Sequence, residues 1–283
     1  MSTIRIIARL RKGKTSLLFS AAAFLLVSVI SVGQVKAAVP IPSGFRLILS
    51  DVGVRVYQKD YTGGYPDYVT IVDLRYGTLR NFTGNVSGES VFPRTLSTFW
   101  NDAVAQDNSA RRTKVALNGT FFAPKDQWTA EPIAFGLKAD WWKITYGYGS
   151  TTEYPGLVRT LAFDSYFGSS SIQPWSQSTF DSGIPNVVGG LDPTANKDKT
   201  LNIARTFVGV RDDNGDGHSE TVIFFSSKYA TQAWAVSILS SFGAGSKMML
   251  DGRTSTGLIV NGVSKITPGR TIPQAFIVCA GRS

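Results

Sequence analysis

Asp251 ends a short apolar run, Met248-Met249-Leu250, and is followed by Gly252, Arg253, Thr254 and Ser255 before a second apolar run begins at Leu258. A carboxylate at the tip of a strand is held in place by the fold, and its surroundings can tune its protonation. Two further stretches set a polar group at the end of an apolar run. Val115-Ala116-Leu117 leads into Asn118-Gly119-Thr120, and Arg205-Thr206 heads Phe207-Val208-Gly209-Val210. Other catalytic groups are scarce. One His and one Cys occur in 283 residues, too few for a His- or Cys-built zinc site. His218 lies in a hydrophilic turn, and Cys279 follows Ala275-Phe276-Ile277-Val278, where a thiol behaves as a small buried hydrophobe. No phosphate-cradling glycine loop follows a strand-like run, so nucleotide binding has no support. Carboxylate, guanidinium, amide and hydroxyl chemistry remains.

The elements that must carry these groups are mostly short. Runs at 45–49, 68–74, 115–117, 206–210, 221–225, 248–250, 258–260 and 276–278 are rich in β-branched and aromatic residues and are bounded by Gly, Asn and Asp, which predicts strands. Leu96, Phe99, Trp100, Ala103 and Val104 recur at helical spacing and predict a helix over 95–106. Ser226 and Ser227 are expected to cap a second helix, with Ala230, Trp234 and Ile238 along one face and Gly243 and Gly245 ending it. The expected fold class is α+β, a large mainly antiparallel or mixed twisted sheet with a few packed helices.

The N-terminus reads as an address. Arg5, Arg9, Arg11, Lys12 and Lys14 precede an apolar stretch from Leu17 to Val32, and Val35-Lys36-Ala37 supplies small residues for cleavage. This is the order of a secretory signal peptide over 1–37, leaving a single domain over 38–283 in the periplasm or outside the cell, with no stable membrane span after cleavage. Six of the 29 basic residues and none of the 20 acidic ones lie in that leader, so the remainder is only three charges positive. Nucleic acid is therefore not an expected partner.

The three polar-tipped runs, in order, resemble the phosphodiester glycosidase family, whose best-known member removes N-acetylglucosamine from a sugar–phosphate diester. The resemblance rests on Asn118-Gly119-Thr120-Phe121-Phe122, Arg205-Thr206-Phe207-Val208-Gly209 and Leu250-Asp251-Gly252 with Ser255. The Gly189-Gly190 pair and the opening run Gly53-Val54-Arg55-Val56-Tyr57 support it. Arg253 and Thr254 stand where the family carries glycines. The resemblance implies a carbohydrate or sugar–phosphate substrate. A phosphate leaving group needs charge stabilisation more than a strong general acid, and arginine binds phosphate bidentately. Arg205 with Thr206 is the expected phosphate contact. Asp251 is the carboxylate that attacks or stabilises the oxocarbenium-like centre or activates water, with Glu131 as the second carboxylate. Asn118, Gly119, Gly252 and Ser255 are expected to bind or orient substrate. The alternatives are a carbohydrate-binding or cell-wall-associated module that lost catalysis, and a glycosidase acting on a phosphate-free glycan.

Asp212-Asp213-Asn214-Gly215-Asp216-Gly217 fits the start of a calcium loop, with Asp212, Asn214 and Asp216 presenting oxygens, although a closing Glu at the twelfth position is missing. The expectation is a structural calcium, or a plain polar turn, with no cofactor required for the chemistry.

Overall fold

The computed structural model describes residues 39–123 and 129–282, so the expected leader and its cleavage point lie outside the described residues. Every apolar run expected to form a strand overlaps one among the described residues. The run 115–117 lies inside Arg112–Asn118, 206–210 inside Ile203–Arg211, and 276–278 inside Gln274–Ala280. The strands form sheets of eleven, five and three members. Across the middle of the largest run Asp67–Asp73, Thr221–Ala230, Ile203–Arg211, Ser246–Met249 and Asn186–Leu191, in that order. The five-stranded sheet centres on Arg112–Asn118, flanked by Leu258–Val260 and Gln274–Ala280.

The α+β expectation is overturned. The described chain is mainly β, its strand pairings are antiparallel throughout, and its three α-helices have nine, five and ten residues. The physical reason lies in two places. Paired strands such as Val158–Asp164 and Ser169–Pro174 carry too little apolar alternation to stand out in sequence. The second helix is also shorter than its pattern suggested. Ser226 and Ser227 pair with Thr206 and Arg205 on one side and with Tyr68 and Asp67 on the other, and a residue held in a ladder on both sides cannot start a helix. The helix begins instead at Gln232, capped by the Thr231 hydroxyl, which accepts from Trp234 N at 3.1 Å. The first helix, Leu96–Val104, is capped in the same way by Thr95.

Alternation along the strands explains the layering. Val208, Phe224 and Met248 of the largest sheet face a shared core with Val115, Leu117, Phe276 and Val278 of the five-stranded sheet. Their neighbours Phe207, Phe225 and Met249 point the other way, where Ala235, Ile238 and Leu239 of the helix Gln232–Ser241 cover them. Ala116, Ile277 and Cys279 point outward from the smaller sheet onto Leu96, Phe99 and Ala103. Strands apolar on both faces read as continuous apolar runs because both faces are covered.

Gly189, in the strand Asn186–Leu191, lies close against the backbone at Phe135. A Cβ there would sit 1.8 Å from the Phe135 carbonyl oxygen, so backbone approaches backbone where no side chain fits. Gly189→Ala is expected to destabilise the protein by about 1–3 kcal/mol through overpacking, read as a lower urea midpoint with an unchanged slope. A midpoint equal to wild type would show that Phe135 can retreat freely.

Candidate active site

Asp251 lies just past the strand Ser246–Met249 at the middle of the largest sheet, and Asn118 ends the central strand of the five-stranded sheet. The two sheets meet at these strand ends. Asp251 N donates to the Gly119 carbonyl at 2.9 Å, and Asn118 Nδ2 donates to the Asp251 carbonyl at 2.7 Å. Asn118 Oδ1 accepts from Thr206 Oγ1 at 2.7 Å and from Gly257 N at 3.1 Å. One buried amide thus ties together the three motifs found in the sequence. Gly119 has its own constraint, since a Cβ would sit 1.8 Å from Gln274 Oε1, which accepts from Thr120 N at 2.8 Å.

The Asp251 carboxylate is largely buried and held from three sides. Gly252 N donates to Oδ1 at 3.0 Å, and Arg270 Nη2 donates to Oδ2 at 2.8 Å. Arg270 Nε donates to Ser255 Oγ at 2.6 Å, and the Ser255 hydroxyl is hydrogen-bonded to Asp251. The guanidinium carbon of Arg270 lies 4.4 Å from the centroid of the Phe122 ring, so the second aromatic of the Asn-Gly motif seats the cation. Burial pushes the Asp251 carboxyl above its ordinary value, against the pull of Arg270, Ser255 and the Gly252 amide. Arg270 and its role had no sequence signal: it sits in the loop Pro268-Gly269-Arg270-Thr271, without periodicity or motif.

The carboxylate opens onto a cleft of about 490 Å³, walled by Phe121, Phe122, Tyr154, Lys197, Arg253 and Arg270 among others. Lys197 stands 5.8 Å from the Phe121 ring centroid and 5.6 Å from that of Tyr154. Arg253 takes a left-handed backbone, φ 53°, which glycine adopts without strain. The arginine side chain is therefore carried on a backbone of the kind glycine favours. The side chain of Arg253 pairs with Asp198 at the cleft mouth.

Other expected residues sit differently. Arg205 lines a small hollow with Asp251 and Lys197, yet it is buried and spends its donors on backbone: Nε to Ala230 at 3.2 Å, Nη1 to Lys197 at 2.8 Å, and Nη2 to Asp198 at 2.6 Å and Leu201 at 3.3 Å. Four of the five N–H groups of a guanidinium are thus committed to shaping the loop that carries Lys197 and Asp198. Thr206 and Ser255 are fully buried. Glu131 is buried in the three-stranded sheet, paired with Val91, and does not line the cleft.

The acidic loop folds as a hairpin connection. Asp212 and Asp216, joined by Glu220, bring carboxylate oxygens within 4.8 Å of one another and could hold a metal ion. Asn214 instead turns its amide nitrogen to Asp216 Oδ2 at 3.0 Å. Glu220, outside the expected ligand set, is the third carboxylate of this group and accepts from Asp213 N at 2.9 Å.

The buried charge at Asp251 has a pH signature. A carboxyl held above its unfolded value contributes stability that is fully present below the unfolded pKa and lost as pH rises through the folded one. Asp251→Asn does not titrate, so its stability relative to wild type is expected to improve as pH climbs from about 4 towards neutrality. Urea midpoints at a series of pH values measure this; a difference independent of pH would contradict the buried-charge account.

By sequence, the chain matches no protein-family profile and none of the curated proteins. Solved structures do resemble it in fold. The catalytic domain of zebrafish N-acetylglucosamine-1-phosphodiester alpha-N-acetylglucosaminidase, auto-inhibited by its pro-peptide, aligns over 88% of this chain and 88% of its own with a TM-score of 0.53 at 14% identity. A hypothetical protein from Synechocystis aligns over 84% of this chain and 69% of its own with a TM-score of 0.54 at 13% identity. At such identities the likeness is one of fold, and the fold is shared with a glycosidase.

Proposed function

We propose that the protein is an exported hydrolase that cleaves a glycosidic bond in a sugar–phosphate diester or a related envelope glycan. The observation that carries this reading is the cleft itself: a buried carboxylate, Asp251, faces a hollow lined by Lys197, Arg270 and Arg253, the last paired with Asp198. Hydrolysis of a sugar C1–O bond to phosphate asks for those two charges in that arrangement. The sugar develops positive charge at its anomeric carbon, which the carboxylate stabilises, either by attacking it or by orienting water. The departing phosphate carries negative charge, which preorganised cations stabilise where water is excluded. Arg270 keeps Asp251 oriented, and Lys197 and Arg253 are the cations that reach the phosphate. Asn118, Gly119, Thr206 and Ser255 act as positioning residues, Gly252 donates to the carboxylate, and Arg205 fixes the loop bearing Lys197. Glu131, away from the cleft lining, is a structural carboxylate in this reading.

The test is release of free sugar from a synthetic α-N-acetylglucosaminyl phosphodiester. Asp251→Asn is expected to lower kcat by about 10²–10⁴-fold, Lys197→Ala to raise KM, and Glu131→Gln to leave both within a few-fold of wild type. Wild-type binding of the sugar without turnover, or full turnover by Asp251→Asn, would sink the proposal.

We also propose that Asp212, Asp216 and Glu220 bind calcium in a structural role at the tip of the hairpin joining Ile203–Arg211 to Thr221–Ala230, clear of the cleft. Calcium at a hundredfold over its Kd should then stabilise the fold by about 2.7 kcal/mol, raising the thermal midpoint, with the rise abolished in Asp216→Asn. A midpoint indifferent to calcium and to chelator would leave the loop as a self-bonded turn.

A further inference from the structure

The Asp251 cleft shares a wall with one neighbouring hollow, which in turn shares a wall with another. Arg253 and Thr254, at its rim, also line a second depression of about 440 Å³ together with Lys228 and Thr267. Tyr65 lines both that depression and a third of about 300 Å³, whose remaining walls include Tyr61, Asp67, Tyr229 and Trp234. A path of shared walls therefore leads from the carboxylate, over the Arg253–Thr254 rim, to a hollow bordered by four aromatic side chains.

That hollow is built rather than incidental. Tyr65 is 55% exposed, Tyr229 58% and Trp234 38%, more than a core needs from residues of this size. Their surroundings are nevertheless organised. Asp67, itself buried, accepts from Tyr61 Oη at 2.7 Å and from Trp234 Nε1 at 2.8 Å through the same oxygen. Lys59 Nζ lies 5.4 Å from the ring centroids of both Tyr61 and Trp234, and Lys228 Nζ lies 5.5 Å from that of Tyr65. Rings fixed before a ligand arrives lose little freedom when it binds. Exposed aromatic faces with polar edges suit a pyranose ring, which offers an apolar C–H face bordered by hydroxyls.

We propose that this aromatic hollow is a distal sugar-binding subsite, and that the protein takes an oligosaccharide or longer glycan whose chain runs from Asp251 across Arg253 and Thr254 to Trp234. The direction of the chain rests on the hydrolase reading above; binding in the hollow does not depend on turnover. A substrate of one sugar and one phosphate fills the cleft alone, whereas a polymer uses all three hollows.

Calorimetric titration with N-acetylglucosamine, its dimer and its tetramer tests this on the full mature chain, wild type against Tyr65→Ala/Tyr229→Ala. Neither side chain lines the Asp251 cleft, and both are exposed, so the double variant should fold with an unchanged thermal midpoint. Wild type is expected to bind the tetramer about tenfold or more tightly than the monomer. The double variant should lose that gain while keeping wild-type kinetics on the small phosphodiester. Affinity independent of length in wild type, or a double variant that retains the gain, overturns the subsite. Binding to lipid vesicles through the same two residues, with no oligosaccharide bound, overturns it in favour of a membrane-facing patch. If wild type binds tetramer in this way but hydrolyses nothing, the hydrolase reading fails while the subsite stands.

Discussion

The geometry of the candidate site depends on one buried amide. Asn118 closes the gap between the two large sheets by donating to the backbone of Asp251 and accepting from Thr206 and Gly257. Neither sheet alone could place the carboxylate. The strand ending at Met249 brings Asp251 to the end of the sheet's central strands, but its carbonyl and amide are satisfied by Asn118 and Gly119 at the end of the opposing sheet. An amide suits this position because it donates and accepts at once; Asp or Leu there would leave buried groups unmatched on one side or both. The apolar core between the sheets holds them together without direction, and this hydrogen-bonded junction sets their register at the functional end.

Two arginines divide the electrostatic labour. Arg205 is nearly sealed from solvent, and burial works against its charge, so it is tolerated only because backbone carbonyls of the 197–201 loop and of Ala230 surround it. Arg270 is partly open, stacked on Phe122 and aimed at the carboxylate. The first spends its charge on shaping the wall; the second pulls against the burial that raises the Asp251 carboxyl. Guanidinium groups do both jobs because their donors form a rigid fork.

Much of this was legible in the sequence, and the illegible parts have identifiable causes. Asn118 and Asp251 could be found because each terminates an apolar run, and Thr206 because it heads one; a polar group at the boundary of such a run points to a strand end. Arg205 could be found for the same reason, yet its commitment to carbonyls depends on a loop whose path no local pattern encodes. Arg270 and Lys197 lie in stretches without periodicity, so only the fold brings them to the carboxylate. The fold class was misjudged because polar paired strands such as Ser169–Pro174 look like loops, and because Ser226 and Ser227, good helix caps in isolation, are claimed by ladder bonds on both sides. Local preference yields to tertiary pairing there.

The left-handed backbone at Arg253 has a consequence for how such a protein can diversify. A non-glycine residue in that conformation costs about 1–2 kcal/mol, and here the loop carries one beside Asp251, which is anchored on Asn118 and Arg270. Shape and side chain are thereby decoupled at this point of the chain. The rim next to the carboxylate becomes a position where the side chain can change, an open doorway for a charged one, while the hydrogen bonds that anchor Asp251 stay as they are. New selectivity on an old scaffold then needs no new architecture, only enough spare stability to carry one strained residue.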